Sequence, residues 1–425
     1  MNIYRYEAAF GATDKTSRAM RQAMEDWQKI YYGTGAGDPC QRIGYAIVNK
    51  VIGAMFGEYQ LTADPMLAPL DLRKKEALQL LLTGGECFIK PCPTPVGFDF
   101  TLVPRQNILV FGRDGQGRPN DIGMVEQSYR GKYYYTLLER RRAENGYLTI
   151  ENKLYRATNR ENLGNPVSLR EHPLYAELPA KYVIEAPIGL GMVQMKTPIL
   201  NCVDGSYDGV AIYAPAVGLI ANIDQNEQQL CGEFSRGESR VFASSDLLDG
   251  ELGLKDHLFV GLNESPENVG INIFSPKLRE GSYLARKQEY LRNVESMVGL
   301  RRGMLSDAQE DKRTATEITS SAGDFNLTVI SYQQIWEQAV RETALLCRLL
   351  AELYGLPLPS VKVQFDWGNG MLFDEEKTWE DYRQMVRDGI LAPEVALGWR
   401  FGLPWETEAE RKAIREKYMA IEIEN

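Results

Sequence analysis

Residues 283–356 read as a helix, a polar connector and then one very long helix, an order that few single compact domains can hold. The connector Gly299-Leu300-Arg301-Arg302-Gly303-Met304-Leu305-Ser306-Asp307-Ala308-Gln309-Glu310-Asp311-Lys312-Arg313 is charged and bounded by glycine. Thr314-Ala315-Thr316-Glu317 follows as a capping box, in which the Thr314 hydroxyl accepts a backbone N–H three residues on and Glu317 reaches back. The helix that it opens meets no proline until Pro357, and Gly355 is placed as its left-handed C-cap. Roughly 40 residues at about 1.5 Å each give about 60 Å, several times the usual helix length. A helix of that length behind a short charged connector belongs to an assembly or a mechanical part.

At 425 residues the chain exceeds the size at which one core keeps growing, so more than one structural region is expected. A hydrophobic content of 44% excludes general disorder. The longest apolar stretch, 210–221, contains Pro215 and is too short to span a bilayer, which predicts no membrane partner. The opening Met1-Asn2-Ile3-Tyr4-Arg5 lacks the basic-then-apolar order of a signal peptide, so a cytosolic site of synthesis is expected. Cys40, Cys87, Cys92, Cys202, Cys231 and Cys347 form no Cys-x-x-Cys pair and are expected as buried reduced thiols. With His172 and His257 as its two histidines, the chain is a poor candidate for a histidine triad or a multi-histidine metal site. A net charge of −10 means that any DNA partner is guided rather than gripped by the chain as a whole.

Periodicity predicts a helix over 16–32, with Met20, Met24, Trp27, Ile30 and Tyr31 inward and Arg21, Glu25, Asp26 and Lys29 opposite. Further helices are expected at 42–56 and from about residue 71 to Gly84-Gly85. Strand-and-turn grammar then takes over at 87–91, 98–104, 107–111, 122–129, 133–141, 147–157 and 167–169. The front half is therefore expected to be α+β, an antiparallel sheet flanked by helices. After Asp204-Gly205-Ser206-Tyr207-Asp208-Gly209 a helix is predicted to about Arg236, then a small β-rich insert at 240–243, 258–261 and 270–274, then a helix over 283–298 striped by Leu284, Leu291, Val294 and Met297. The seam of the long helix is Phe325, Val329, Tyr332, Trp336, Val340, Thr343, Leu346, Leu350 and Leu353. A strand at 361–366 and three short helices near 374–387, 393–399 and 407–418 complete the pattern, the last with a capping box of its own, Thr407 to Glu410.

Catalytic chemistry is thinly represented. Gly33-Thr34-Gly35-Ala36-Gly37 has neither a feeding strand nor the Gly-Lys-Ser/Thr of a phosphate loop, and Gly189-Leu190-Gly191 is no stronger. Asp366, Asp374, Glu375 and Glu376 could in principle do hydrolytic or metal work, but acids at a helix start are explained by the dipole. Glu86-Cys87 has no nearby histidine in sequence to activate the thiol. No catalytic residue, metal ligand or cofactor site is assigned, and the chain is expected not to be an enzyme.

The order of elements resembles that of the portal protein of long-tailed double-stranded DNA phages, of the kind found in phages of Gram-positive hosts. Residues 201–211 (Asn201-Cys202-Val203-Asp204-Gly205-Ser206-Tyr207-Asp208-Gly209-Val210-Ala211) are similar to that family's entry into its first stem helix. Residues 233–242 resemble its stem-to-clip transition, and Val298-Gly299-Leu300 followed by Thr314-Ala315-Thr316-Glu317 resembles its Gly-Leu … Thr-Ala-Thr-Glu segment around the tunnel loop. The front helix with Trp27 and Tyr31-Tyr32-Gly33, and Phe365-Asp366 with Gly389 in the tail, fit as well, so the likeness covers nearly the whole chain.

The resemblance implies a portal fold. It consists of an α/β wing over 1–204, a first stem helix over 205–237, a β-rich clip over 238–282 and a second stem helix over 283–299. A tunnel loop over 300–313, a long wing-spanning helix over 314–356 and a helical crown over 357–425 complete it. It implies a closed ring of identical chains, a dodecamer in this family, at one vertex of the virion capsid. The ring is the channel for DNA packaging and ejection. Its implied partners are double-stranded DNA held weakly and without sequence preference, the terminase large subunit, the head–tail connector or adaptor, and capsid and scaffolding proteins. The implied channel residues are Arg301, Arg302, Gly303, Asp307, Gln309, Glu310, Asp311 and Lys312, with Thr314 and Glu317 as the helix cap behind them. The positive charges are offset by Asp307, Glu310 and Asp311, so contacts with phosphate would be weak, and Gly299 and Gly303 would let the loop shift. A different cytosolic ring or scaffold component that handles no DNA is the alternative, with a carboxylate-based hydrolase behind it.

Overall fold

Strand alternation, with side chains pointing to opposite faces at every second residue, organises the front of the molecule. The computed structural model describes residues 3–35, 38, 40–237, 240–244, 259–262, 272–274, 277–307, 315–368, 375–405 and 407–418. Strand β1 (Glu86–Thr94) pairs antiparallel with β2 (Gly97–Pro104), and β9 (Val193–Lys196) closes that sheet on the other side of β1. A second antiparallel sheet runs in chain order through β3 (Ile108–Arg113), β4 (Pro119–Arg130), β5 (Tyr133–Glu144), β6 (Tyr147–Ala157) and β7 (Asn165–Val167). Strand β8 (Lys181–Ile184) pairs with the first half of β6. Ile108 and Val110 pack in one core with Phe88, Ile122 and Met124, whereas Leu109 and Phe111 pack in another with Tyr6, Phe10 and Val125. Strand β3 is thus apolar on both faces and lies between two cores, as a near-continuous Ile-Leu-Val-Phe run requires.

Three helices accompany the sheets: α1 (Arg18–Tyr32), α2 (Ile43–Phe56) and α3 (Lys74–Gly84). Ser17 caps α1 by accepting from Met20 N, and Met20, Met24, Trp27 and Tyr31 are buried as the stripe predicts. Arg21, expected on the solvent face, is instead buried, because Asp14 supplies a carboxylate inside: Nε donates to Asp14 Oδ2 at 2.8 Å. Helix α3 ends at Gly85 in the left-handed region (φ +80°), where a Cβ would collide with the backbone of Gly209. Gly209 in turn cannot accept a Cβ without striking Gly85 O and Glu86. The two glycines are where the segment after β9 crosses the end of α3.

That crossing is locked by charge. Arg105 is fully buried; its Nη2 donates to Asp208 Oδ1 at 2.6 Å and to Thr16 Oγ1 at 2.7 Å, and its Nη1 to Ile108 O at 2.8 Å. Arg113 Nη2 donates to the same Asp208 oxygen at 2.7 Å, and Arg105 Nε lies 3.4 Å from Glu86 Oε2. Glu86 also accepts from Gly209 N at 2.7 Å, while Asp14 accepts from Val110 N at 2.9 Å. Three arginines and three carboxylates (Arg21, Arg105, Arg113; Asp14, Glu86, Asp208) therefore balance inside the fold. Burial pushes the Asp208 carboxyl up, but Arg105 and Arg113 outweigh it and hold it below the usual range.

The helix expected directly after Gly209 begins later, as α4 (Val217–Arg236). The backbone before it is already engaged: Thr197 Oγ1 donates to Val210 O at 2.7 Å and Ile212 N to Leu82 O at 2.9 Å. Pro215 then favours a single 3-10 turn ahead of the helix proper. A small sheet follows, with β10 (Arg240–Ser244) between β11 (Phe259–Leu262), parallel to it, and β12 (Asn272–Phe274), antiparallel, close to the expected insert. Helix α5 (Glu280–Val298) returns antiparallel along α4, tied by Lys287 Nζ to Glu227 Oε2 at 2.9 Å and Arg279 Nη2 to Glu233 Oε2 at 2.8 Å. The long helix is present as α6 (Ala315–Tyr354), 40 residues, with Gly355 left-handed (φ +65°) at its end. Its seam is buried from Phe325 to Leu350, but Leu353 is 47% exposed.

The chain divides into two compact units, Met1–Gly53 with Leu61–Gln364, and Ala54–Gln60 with Phe365–Asn425. The second holds α7 (Glu375–Arg387), α8 (Pro393–Phe401) and α9 (Glu408–Tyr418). Tyr382 meets Trp399 edge-on at 5.0 Å, and Tyr59 packs on Trp367 at 4.8 Å. The capping box before α9 is made as the sequence predicts: Thr407 N donates to Glu410 Oε2 at 2.8 Å and Glu410 N to Thr407 Oγ1 at 3.4 Å. The fold is α+β. Among the described residues, no helix is long and apolar enough to cross a membrane.

Removing the Arg105 side chain would strand Glu86 and Asp208 in the interior, so Arg105→Ala should cost about 3–5 kcal/mol by urea denaturation. A loss under about 1 kcal/mol would mean that solvent reaches the cluster. A second carboxylate sets the acid limit. Burial pushes Glu139 up, but Arg141 (Nε to Oε1, 2.6 Å) and Lys90 (Nζ to Oε2, 2.9 Å) outweigh it and bring its pKa to about 2. With a folded pKa below the unfolded one, its contribution is complete above about pH 5 and is lost as pH falls toward 2, on the order of 3 kcal/mol in all. Glu139→Gln should start less stable at pH 7 and lose less between pH 5 and pH 2, read as urea midpoint against pH; parallel curves would show that Glu139 does not set the limit.

Candidate functional site: the clasped connector between α5 and α6

The candidate site is built from the last turns of α5 outward. Its buried face carries Leu291, Val294, Glu295 and Val298, a helical stripe with one acid in it. Met297, expected inside, flanks this stripe and is 56% exposed, and Leu284, in line with it two turns before Leu291, is 50% exposed. Gly299 ends the helix in the left-handed region (φ +70°), and a side chain there would strike Thr328 Oγ1 of α6. Leu300 N then closes onto Glu295 O at 2.9 Å, and Leu300 itself is buried.

Glu295 is 0% exposed, and its carboxylate is the centre of the connector. It accepts from Gly303 N at 3.1 Å, Leu305 N at 2.5 Å, Ser306 N at 2.8 Å and Ser306 Oγ at 2.9 Å. Convergent N–H groups around one anion form a nest, and Gly303 at φ +90° supplies the left-handed residue that such a turn needs. Two helical turns earlier, Gln288 Oε1 takes Asp307 N at 2.8 Å. The chain from 299 to 307 is therefore strapped to α5 by side chains of α5. Gly299 and Gly303, expected to let the loop shift, both have positive φ in this compact turn.

Of the sequence-predicted site residues, Arg301, Arg302, Gly303 and Asp307 are brought together in this turn, with Arg301, Arg302 and Asp307 exposed. Gln309, Glu310, Asp311, Lys312 and Thr314 lie outside the described residues, as does the side chain of Glu317, so the capping box there is not described. Glu295 and Ser306 were missed. The available signal was an acid on the apolar stripe, four residues after Leu291 and four before Gly299.

The other candidate groups are engaged structurally. Asp38 accepts from Thr34 Oγ1 at 2.8 Å and Cys40 N at 2.9 Å, as well as from Thr34 N, so the Thr34 N–H in the 33–37 loop already faces a carboxylate. Gly191 O and Leu190 O receive Arg141 Nη1. The buried Cys87 thiol is pushed up by burial and stays protonated. Cys202 and Cys231 are exposed, which corrects their expected burial; all six sulfurs are free thiols. His172 lies 3.5 Å from Ser128 Oγ through Nε2, the separation of a potential serine–histidine pair. However, His172 Nδ1 accepts from Leu174 N at 3.3 Å, which puts the ring proton on Nε2, so this imidazole cannot take a proton from Ser128. Burial, with Arg130 nearby, keeps its pKa below the usual value. Among the described residues, no group of three or more His, Cys, Asp or Glu side chains could hold a metal ion. Asp366 is occupied by Gly368 N at 2.9 Å, and Asp374 lies outside the described residues.

No protein-family model and no curated protein matches the sequence. Among solved structures, the chain is similar to a chain of the "Neck of native GTA particle computed with C12 symmetry", with 12% identity over 94% of this chain and 98% of that one and a TM-score of 0.47.

The clasp predicts a local signature. Both Glu295→Ala and Glu295→Gln should release the amides of Gly303, Leu305 and Ser306, raising their hydrogen exchange at least tenfold, roughly what losing about 1.5 kcal/mol of protection gives. Exchange that stays unchanged in both variants would show that the turn holds itself without the carboxylate.

Proposed function

We propose that the chain is a portal protein of a tailed double-stranded DNA phage. Identical copies would form a closed ring, a dodecamer, at one capsid vertex, and DNA would pass through its centre during packaging and ejection. The observation that carries this reading is the clasped connector: two antiparallel helices, α4 and α5, bear a small sheet at one end, and at the other a turn pinned by Glu295 leads into a 40-residue helix. In this proposal α4 and α5 are the stem and the β10–β12 sheet is the clip, which docks the head–tail connector and the terminase large subunit. Residues 300–313 are the tunnel loop, α6 is the wing-spanning helix and α7–α9 belong to the crown. The chain is proposed to act without catalysis, metal or cofactor, and its site of action is the virion.

The physics of translocation suits such a part. A channel must not hold its cargo, and each neutralised phosphate adds affinity, so a loop whose cations are offset by acids gives weak, salt-sensitive contact. The clasp adds a mechanical requirement: a loop that touches moving DNA needs a fixed root, and Glu295 with Gln288 anchors residues 303–307 to α5. Stem helices in a ring also need a face for each neighbour, in a heterologous contact that closes.

Purified protein should form closed rings visible by negative-stain electron microscopy; only small open oligomers at high concentration would remove the reading. Replacing residues 308–312 with an equal length of Gly and Ser leaves every donor to Glu295 in place, so rings should form as before while DNA packaging falls sharply. Normal packaging by that variant would separate the loop from translocation.

A further inference from the structure

We propose that the turn end of the β4–β5 hairpin is a docking surface for nucleic acid, held through its phosphodiester backbone. This surface lies on the six-stranded sheet and is independent of the connector and of the channel reading. The chain carries a net charge of −10, yet residues 129–170 hold nine Lys and Arg against four Asp and Glu. At the hairpin turn this excess is concentrated in Tyr129-Arg130-Gly131-Lys132-Tyr133-Tyr134, with Gly131 left-handed (φ +64°) at the tip. Arg130, Lys132 and, from the loop after β6, Arg160 are exposed and form no ion pair among the described residues. Arg160 is held at this end by Gln127 Nε2 donating to its carbonyl at 3.2 Å. Nearby acids are partly committed: Glu171 pairs with Arg156, and Glu126 takes Tyr175 OH at 2.8 Å, while Glu161 is exposed beside Arg160.

The aromatic residues decide the class of partner. The Lys132 ammonium lies 5.6 Å and the Arg156 guanidinium, itself paired with Glu171, 4.8 Å from the Tyr133 ring centre, so the ring orients Lys132 without neutralising it. Tyr129 is 61% exposed and leans on Tyr134 at 4.8 Å, which leaves one of its faces open. The unpaired cations Arg130, Lys132 and Arg160 beside the open face of Tyr129 suit a chain that alternates phosphates with flat or ring-shaped groups. An acidic peptide would use the charges and leave the rings idle.

Fluorescence anisotropy of the full chain with labelled oligonucleotides of about 20 nucleotides, duplex and single-stranded, tests this between about 50 and 200 mM salt. Three cations predict that log K falls against log salt with a slope of about −3 for duplex. Arg130→Glu combined with Lys132→Glu should weaken binding at least about tenfold and reduce the slope by about 2. The equal charge change Arg383→Glu with Lys412→Glu, on exposed residues of α7 and α9, should leave affinity unchanged. Tyr129→Ala distinguishes the sources: a loss confined to the single strand assigns base stacking, and an equal loss on both assigns the backbone of either form. Undiminished binding by the hairpin variant, with circular dichroism showing it folded, overturns the proposal. So does loss of binding only on Arg301→Glu with Arg302→Glu. Poly-glutamate competing as well as the oligonucleotide at equal charge would assign the surface to an acidic protein instead.

Discussion

Arg105 has no route to solvent, and its guanidinium is shared among Thr16, Ile108 and Asp208, with Glu86 against its Nε. These partners come from the segment before α1, from β1, from the start of β3 and from the stretch that leads to α4. A buried ion cluster is weak evidence for net stability, because desolvating six charges costs much of what their attraction returns. Its value is positional. Glu86 must sit where both Arg105 and Gly209 N reach it, so the crossing of the α3 end by residues 208–210 has one register. The Gly85–Gly209 contact enforces the same register sterically, since neither position admits a Cβ. The direction in which α4 departs from the sheets is thereby set before the helix starts.

From that launch point the molecule transmits position through rigid pieces. Helices α4 and α5 are joined by two ion pairs and a buried stripe, and α5 passes its orientation to the connector through Glu295 rather than through the backbone alone. The carboxylate replaces water for three N–H groups that a tight turn would otherwise leave unpaired. Gly299 then brings the turn against Thr328, so the root of the connector is held from both α5 and α6. Residues 303–307 are thus fixed to the helix that precedes them, and the charged side chains of Arg301, Arg302 and Asp307 are carried exposed on that fixed turn.

Regular elements were largely legible because their signals are local. The long helix from Ala315 to Tyr354 lies between a polar start and Gly355, and β3 to β6 alternate between Gly- and Asn-bearing turns. Two of the misreadings share one cause, tertiary pairing of charge. Arg21 looked like a solvent-facing helix residue until Asp14, seven positions earlier, was folded against it. Glu295 looked like one acid among many, although its place on the apolar stripe was visible. The delayed start of α4 was hidden for a similar reason: Val210 and Ile212 spend their backbone groups on Thr197 and Leu82, partners that no window of sequence contains.

Charge is also sorted between parts. The front sheet concentrates arginine, yet most of the arginines in its interior and along its strands are consumed: Arg140 by Asp121, Arg141 by Glu139, Arg113 and Arg105 by Asp208. Among the described residues, Arg130 and Lys132 at the β4–β5 turn form no ion pair, and Lys132 lies against the Tyr133 ring. In the connector the opposite rule holds, with Arg301 and Arg302 followed closely by Asp307, Glu310 and Asp311 in sequence. Averaging charge over the whole chain conceals both, since −10 describes neither the sheet end nor the loop.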